Sequence, residues 1–298
     1  MYRLILSAAL AGVTPVAVVA DIAIGGYARF GVDHDEGRAP ADETRIESRF
    51  RLIVTARAQA DNGLNFGAQV RYQANEAGSS YAGTAGFNNP RFWIESGALA
   101  ISLGHVLGAV DSMPGIGDGE VGLTGAGSGH EVYTGIDAYD SGGQGREGFD
   151  ITWSGESVSV HLSHSPGQVG YGVNGAVERT AVHLAYSVGG YTVAVAGQDS
   201  TVAGDTRWVM TARGGVGPAT LTLQAADNDG AAKYGLAGEV ELGAETTLTG
   251  YLNHDEAVGD ENLGIGVSHD LGGGASVQGG VADLGGRMRA DMGVRFSF

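Results

Sequence analysis

From residue 22 onward the chain reads as short stretches in which apolar and polar side chains alternate with a period of two. That is the pattern of strands whose two faces meet different surroundings. Phe50, Leu52, Val54 and Ala56 alternate with Arg49, Arg51, Ile53, Thr55 and Arg57. Leu64, Phe66, Ala68 and Val70 alternate with Asn65, Gly67, Gln69 and Arg71. The last stretch sets Met288, Ala290, Met292, Val294, Phe296 and Phe298 against Arg287, Arg289, Asp291, Gly293, Arg295 and Ser297. Sixteen such segments are counted, at about 22–32, 44–59, 64–74, 91–95, 98–106, 148–154, 157–163, 179–187, 191–197, 207–213, 219–226, 232–241, 246–253, 262–269, 275–282 and 287–298.

The connections carry more information than the count. Even-numbered segments end in tight turns such as Asp61-Asn62-Gly63, Gly155-Glu156, Gly189-Gly190 and Gly272-Gly273-Gly274, where glycine or asparagine accepts positive φ. Odd-numbered segments are mostly followed by longer polar loops: 33–43, 75–90, 107–147, 164–178, 198–206 and 254–261. An even number of antiparallel strands, with short turns on one rim and long loops on the other, predicts an outer-membrane barrel.

Which face points outward decides the environment. The set opposite the apolar one holds Arg29, Arg45, Glu47, Arg49, Arg51, Arg57, Arg71, Arg91 and Glu239. So many charges cannot pack in a dry core. The apolar set therefore faces lipid, and the polar set lines a wet lumen. Sixteen strands are wide enough for an aqueous channel, whereas eight would be filled by side chains.

Composition agrees. Of 298 residues 53 are glycine and none is cysteine, and the formal charge is −17. The acidity excludes a nucleic-acid partner, which needs a basic face to displace counterions. The absent thiol excludes disulfides and thiol catalysis. Residues 1–20 carry Arg3, an apolar run from Leu4 and a small residue at Ala20, the layout of a signal peptide cleaved before Asp21. Residues 21–298 then form a single barrel domain. The remainder holds no run of the ~18 apolar residues that a spanning helix needs.

The basic residues cluster. Eight of 17 lie between Arg29 and Arg91, and three more between Arg287 and Arg295. Closing the barrel places the last segment beside the first, so Arg29, Arg49, Arg51 and Arg71 line one lumenal wall. Such a wall needs acidic partners, for which Glu47 and Asp291 are strand candidates. The loop 107–147, after the fifth segment, carries Asp111, Asp118, Glu120, Glu131, Asp137 and Asp140 with no basic residue before Arg146. A loop this long calls for a functional explanation. Folded inward, it narrows the pore and sets carboxylates opposite the arginines, a transverse field that favours small dipolar solutes.

Enzymatic readings are weak. Gly117-Asp118-Gly119-Glu120-Val121-Gly122 fits GxGxxG, but no helical pattern follows it. No HExxH or GxSxG occurs, and Ser163 with His161 or His164 is an isolated pairing. A substrate-specific or gated channel, or a structural barrel without an open pore, is the alternative. For a sugar channel, Tyr27, Trp93 and Tyr251 make a thin aromatic lining.

Several stretches together resemble the general-diffusion porins of the outer membrane, of the alphaproteobacterial type from purple photosynthetic bacteria. They include Gly26-Tyr27-Ala28-Arg29-Phe30-Gly31, Ser48-Arg49-Phe50-Arg51, Phe66-Gly67-Ala68-Gln69-Val70-Arg71 and Tyr81-Ala82-Gly83-Thr84-Ala85-Gly86. Others are Arg91-Phe92-Trp93, Asp118-Gly119-Glu120-Val121-Gly122 and the run from Ala290 to Phe298. The terminal Phe298 resembles the signal read by outer-membrane assembly machinery. The resemblance implies a homotrimer of sixteen-stranded antiparallel transmembrane β-barrels, embedded in outer-membrane lipid and lipopolysaccharide. Each would pass small hydrophilic solutes and ions through a pore narrowed by the loop after strand five. It assigns Arg29, Arg49, Arg51 and Arg71 to the constriction, with Asp111, Asp118 and Glu120 opposite, and implies calcium held by those three acids. The acidic stretches Asp33-His34-Asp35-Glu36 and 255–261 add an expectation of mild cation preference and divalent bridging to lipopolysaccharide.

Overall fold

The computed structural model describes residues 21–75, 85–105, 107–139, 141, 147–166, 177–202 and 206–298. The expected leader, residues 1–20, lies outside the described residues, as do Asp140, Arg146 and most of the stretch from Tyr81 to Gly86. Among the described residues every regular element is a strand. β1 (Asp21–Asp35), β2 (Thr44–Gln59), β3 (Asn65–Asn75), β4 (Ala85–Phe87), β5 (Arg91–Ser96) and β6 (Leu99–His105) precede the long internal loop. After it come β7 (Glu147–Ser154), β8 (Val158–Ser165), β9 (Arg179–Val188), β10 (Tyr191–Ser200), β11 (Thr206–Val216) and β12 (Ala219–Asn228). The chain ends with β13 (Ala232–Glu241), β14 (Thr246–Asp255), β15 (Asp260–Gly272), β16 (Ala275–Leu284) and β17 (Met288–Ser297).

All pairings are antiparallel, and β1 is bonded to both β2 and β17, so the sheet closes without a free edge. At the seam Gly26 N donates to Phe298 O at 2.9 Å, and Phe298 N donates back to Gly26 O at 3.1 Å. β4 and β5 are two parts of one stave. β4 pairs with Tyr72, Gln73 and Ala74 of β3, while β5 pairs with the other half of the same strand, from Asn65 to Gln69. Asn88 mends the gap between them: its N–H donates to Arg71 O at 2.9 Å and its Oδ1 accepts from Arg71 N at 2.7 Å. Counted as staves, the barrel has the sixteen strands that the alternation predicts.

Turns separate the rims as expected, with two exceptions. The connections after Asn228 and Leu284 fall on the rim of long loops yet are tight, because Asp229, Gly230, Gly285 and Gly286 all take positive φ. Outward positions carry large apolar side chains in contact with solvent in the isolated chain, such as Phe30 (55 % exposed) and Leu103 (61 %). Their exposure on every side of a closed barrel is what a lipid-facing surface requires.

The lumen departs from the expectation of an all-polar lining. On β9 to β13 many inward positions are small and apolar: Ala181, Ala185, Ala194, Ala196, Val209, Ala226 and Ala237 are buried, interspersed with polar residues such as His183, Thr211 and Gln224. They are buried because the loop lies on them. Val110, Met113, Val132 and Tyr133 pack on most of this surface, while Val121 and Ala126 pack with Ala237, Tyr251 and Ala282. The barrel thus contains a second, dry core between its wall and its own loop.

Candidate functional site

The loop after β6 runs round the inside of the barrel and returns. On the outward limb, Ala109 N donates to Ser163 Oγ at 2.9 Å, and the His183 ring donates through Nδ1 to Ala109 O at 2.5 Å. Ser112 Oγ meets His161 Nδ1 at 2.6 Å. Further on, Thr211 Oγ1 donates to Pro114 O at 2.6 Å and Gln224 Nε2 to Gly115 O at 2.7 Å. On the return limb, Asn253, Asn228, Gln198 and Arg207 donate to the carbonyls of Gly129, Val132, Gly135 and Thr134. All but the contact of Ser112 with His161 fill a backbone carbonyl or N–H that an irregular loop would otherwise leave unsatisfied.

The tip reaches the far wall at β17. Asp291 takes Leu123 N at 2.7 Å on one oxygen, and Thr124 N at 2.8 Å and Thr124 Oγ1 at 2.5 Å on the other. Arg29 donates to Leu123 O at 2.8 Å. The wall beneath has no side chains in the way: a Cβ at Gly266 or Gly280 would come within 2.8 or 2.7 Å of Gly122 N. Gly122 itself has φ +77°, and a Cβ there would strike the Asp291 carboxylate. The tip is therefore clamped by charge and fitted by glycine.

The arginines sit on the remaining wall. Arg29 faces Arg49 and Arg295 across β2 and β17, Tyr27 faces Arg51, and Arg71 lies on β3 beside them. Few carboxylates answer them. Arg29 forms an ion pair with Glu47 at 2.7 Å, both being buried. Arg49 donates to Asn75 Oδ1 at 2.8 Å and Tyr27 Oη at 3.3 Å, and Arg51 to Gln73 Oε1 at 2.7 Å. The Tyr27 ring lies between Arg51, 4.9 Å from its centroid, and Arg295, 4.3 Å away. Ring faces and neutral carbonyls thus hold the guanidinium groups apart without cancelling their charge. Arg71 alone of the four strand residues Arg49, Arg51, Arg71 and Arg91 bridges to the loop beyond its start, donating to Tyr139 O at 3.1 Å and Ser141 Oγ at 3.2 Å.

The acidic residues are dispersed. Asp118 pairs with Arg213 at 2.9 Å and accepts from Thr222, both on the wall the loop covers. Asp137 pairs with Arg179 at 3.0 Å on the same side. Asp111 is half-buried, with its charge felt at Arg71, while Glu120 is exposed at the tip. Asp118 and Asp137 therefore answer strand arginines on the wall the loop covers instead of facing the arginine cluster. Asp111, Asp118 and Glu120 do not converge, and among the described residues no three acidic or histidine side chains form a group fit for a metal ion. His130, on the return limb, is held below the usual histidine range by burial, partly offset by Glu131 and Glu120.

One other sequence expectation changes. Asp33 and Asp35 are buried in a lattice with Arg38, Arg45, Arg287 and Arg289, so they are not free carboxylates at the rim. Ser163 and His161 serve the loop, and 117–122 is loop rather than a strand-to-helix turn. Sequence reasoning missed the Asp291 clamp and the alanine and glycine seat. Their signal was an inward set that is small where the outward set is large, as in Ala181 and Ala185 against Val182, Leu184 and Tyr186.

Comparison with known proteins places this architecture. A family model for Gram-negative porins matches residues 6–287. A porin of Fuscovulum blasticum is 30% identical over 293 residues, covering 93% of this chain and 100% of that protein. A porin of Rhodobacter capsulatus is 29% identical over 320 residues, again covering 93% and 100%. The solved structure of a mutant of Rh. blastica porin superposes with a TM-score of 0.83 at 27% identity, covering 93% of this chain and 100% of that one.

Proposed function

The chain belongs to the Gram-negative porin family and is an integral β-barrel of the outer membrane. From that premise we propose that it is a passive, water-filled pore for small hydrophilic solutes and ions, with no catalytic step. One observation carries the reading: Arg49 and Arg51 find their described partners on their own wall, while the loop is fastened mainly to the opposite one. A polar passage is left between the positive wall and the loop, on which Asp118 keeps 30 % of its side chain accessible.

Arg29, Arg49, Arg51 and Arg71, with Asp111, Asp118 and Glu120 on the loop side, form the constriction in this reading. Three copies assemble in outer-membrane lipid and lipopolysaccharide, with residues 1–20 removed on export. Calcium is not part of the proposal, because the three acids named for it are apart. The test is single-channel conductance of the refolded protein in a planar bilayer. Large ohmic steps that close in threes support an open trimeric pore; silence from a folded, heat-modifiable barrel overturns it.

A further inference from the structure

Beside the loop tip the lumen holds a cavity of about 160 Å³, lined in part by Glu120, Thr249, Ser268, Gln278 and Arg295. Its two charged groups are of opposite sign and neither is spoken for. Glu120 makes no ion pair or hydrogen bond among the described residues, and Arg295 has only its stacking on Tyr27. Neighbouring lumenal arginines are otherwise engaged: Arg29 with Glu47, Arg91 with Asp150, Arg179 with Asp137 and Arg213 with Asp118.

We infer that this cavity is a subsite for a small zwitterion of the amino-acid class. Its ammonium meets Glu120 and its carboxylate meets Arg295. A simple anion or cation satisfies one charge and leaves the other unpaired, and an uncharged polyol satisfies neither. The Thr249 and Ser268 hydroxyls add donors and acceptors between the two ends. Gln278 gives one of its two N–H groups to Ser276 Oγ at 3.1 Å, and its carbonyl can accept from an ammonium. The site is held in advance, because Glu120 lies just ahead of residues 123 and 124, which Asp291 and Arg29 clamp. The cavity's volume is enough for glycine or alanine.

The inference rests on the pore reading only for access from bulk water, so binding and conduction are measured separately. Equilibrium dialysis of folded, detergent-solubilised protein against radiolabelled L-alanine is expected to show saturable binding that acetate, methylammonium and glycerol compete for poorly. Glu120→Gln and Arg295→Gln are each expected to weaken it roughly tenfold, the loss of one charge-assisted bond. In a bilayer, alanine should reduce the KCl current of the native pore saturably, over the same concentration range. Non-saturable uptake, equal competition by acetate or glycerol, or full binding in both variants overturns the subsite. Conduction without alanine binding removes the subsite and leaves the pore; alanine binding by a barrel that does not conduct removes the pore and leaves the subsite.

Discussion

The two lumenal walls obey the same period of two and end in opposite states. On β17, β1, β2 and β3 many inward side chains are long and polar: Arg29 and Glu47 are buried as a pair, and the half-buried Arg49 and Arg51 are braced by Tyr27, Asn75 and Gln73. On β9 to β13 many are alanine, threonine or glutamine, and these disappear beneath the loop. Inward side-chain length, rather than polarity alone, decides where the loop lies down. Long arginine side chains meet the loop backbone only at their tips, as Arg29 and Arg71 do at the carbonyls of Leu123 and Tyr139, whereas alanine and glycine let it rest flush against the sheet.

Exchanging the character of the walls tests this most severely. Ala194→Asp puts a carboxylate into the dry core between Ala185 and Thr211, where an unpaired charge costs several kilocalories per mole. The loop is expected to leave its seat, with a marked rise in single-channel conductance and new protease cleavage within 107–141. The same charge on the other wall, Gln73→Glu, falls beside Arg51 and should leave conductance and protease resistance near their native levels. If both substitutions behave alike, the distinction between the walls fails.

Loosening the clamp comes next. Asp291→Ala removes the acceptor of three bonds at Leu123 and Thr124, a bond to a charged group contributing about 1.5–3 kcal/mol net of exchange with water. The expected result is a folded barrel with a flickering current, read as excess noise at constant voltage.

Charge changes at the passage should act more gently. Alanine at Arg49 and Arg51 should shift permeability toward cations, and Asp118→Asn with Glu120→Gln toward anions. A charge facing water at close range contributes about 1 kcal/mol, which bounds each shift at roughly fivefold per charge. Reversal potentials in a salt gradient measure both; an unchanged potential would place the named residues away from the narrowest point.

The smallest effect concerns pH. His130 is depressed below its unfolded value by burial, so the seated loop favours its neutral form. That stabilisation is present above the ordinary histidine pKa and is lost as pH falls toward the depressed one. Acidification from neutrality should therefore loosen the loop slightly, seen as a small rise in current noise, and His130→Gln should remove that part of the response.

The barrel was legible because each strand states its own orientation: Phe50 and Leu52 against Arg49 and Arg51 needs no partner to be read. The arginine wall followed from closure, since pairing the last strand with the first brings Arg295 beside Arg29. The course of the loop was not legible. It depends on contacts such as Leu123 with Asp291, between residues whose sequence separation carries no periodic signal. The acids were read as facing the arginine wall because strand arginines at 179 and 213 look, in isolation, like any other lumenal residue. Only the loop's path makes them the partners of Asp137 and Asp118.

The seam between Gly26 and Phe298 sets a condition on the order of events in assembly. The last strand must find the first across nearly the whole chain, a closure far less probable than any hairpin formed along the way. Until it is made, β1 and β17 each offer an unpaired edge to any neighbouring strand. The slow step in maturation is thus expected at the junction, and a chain lacking its final residues should accumulate as sheets that join one another instead of closing.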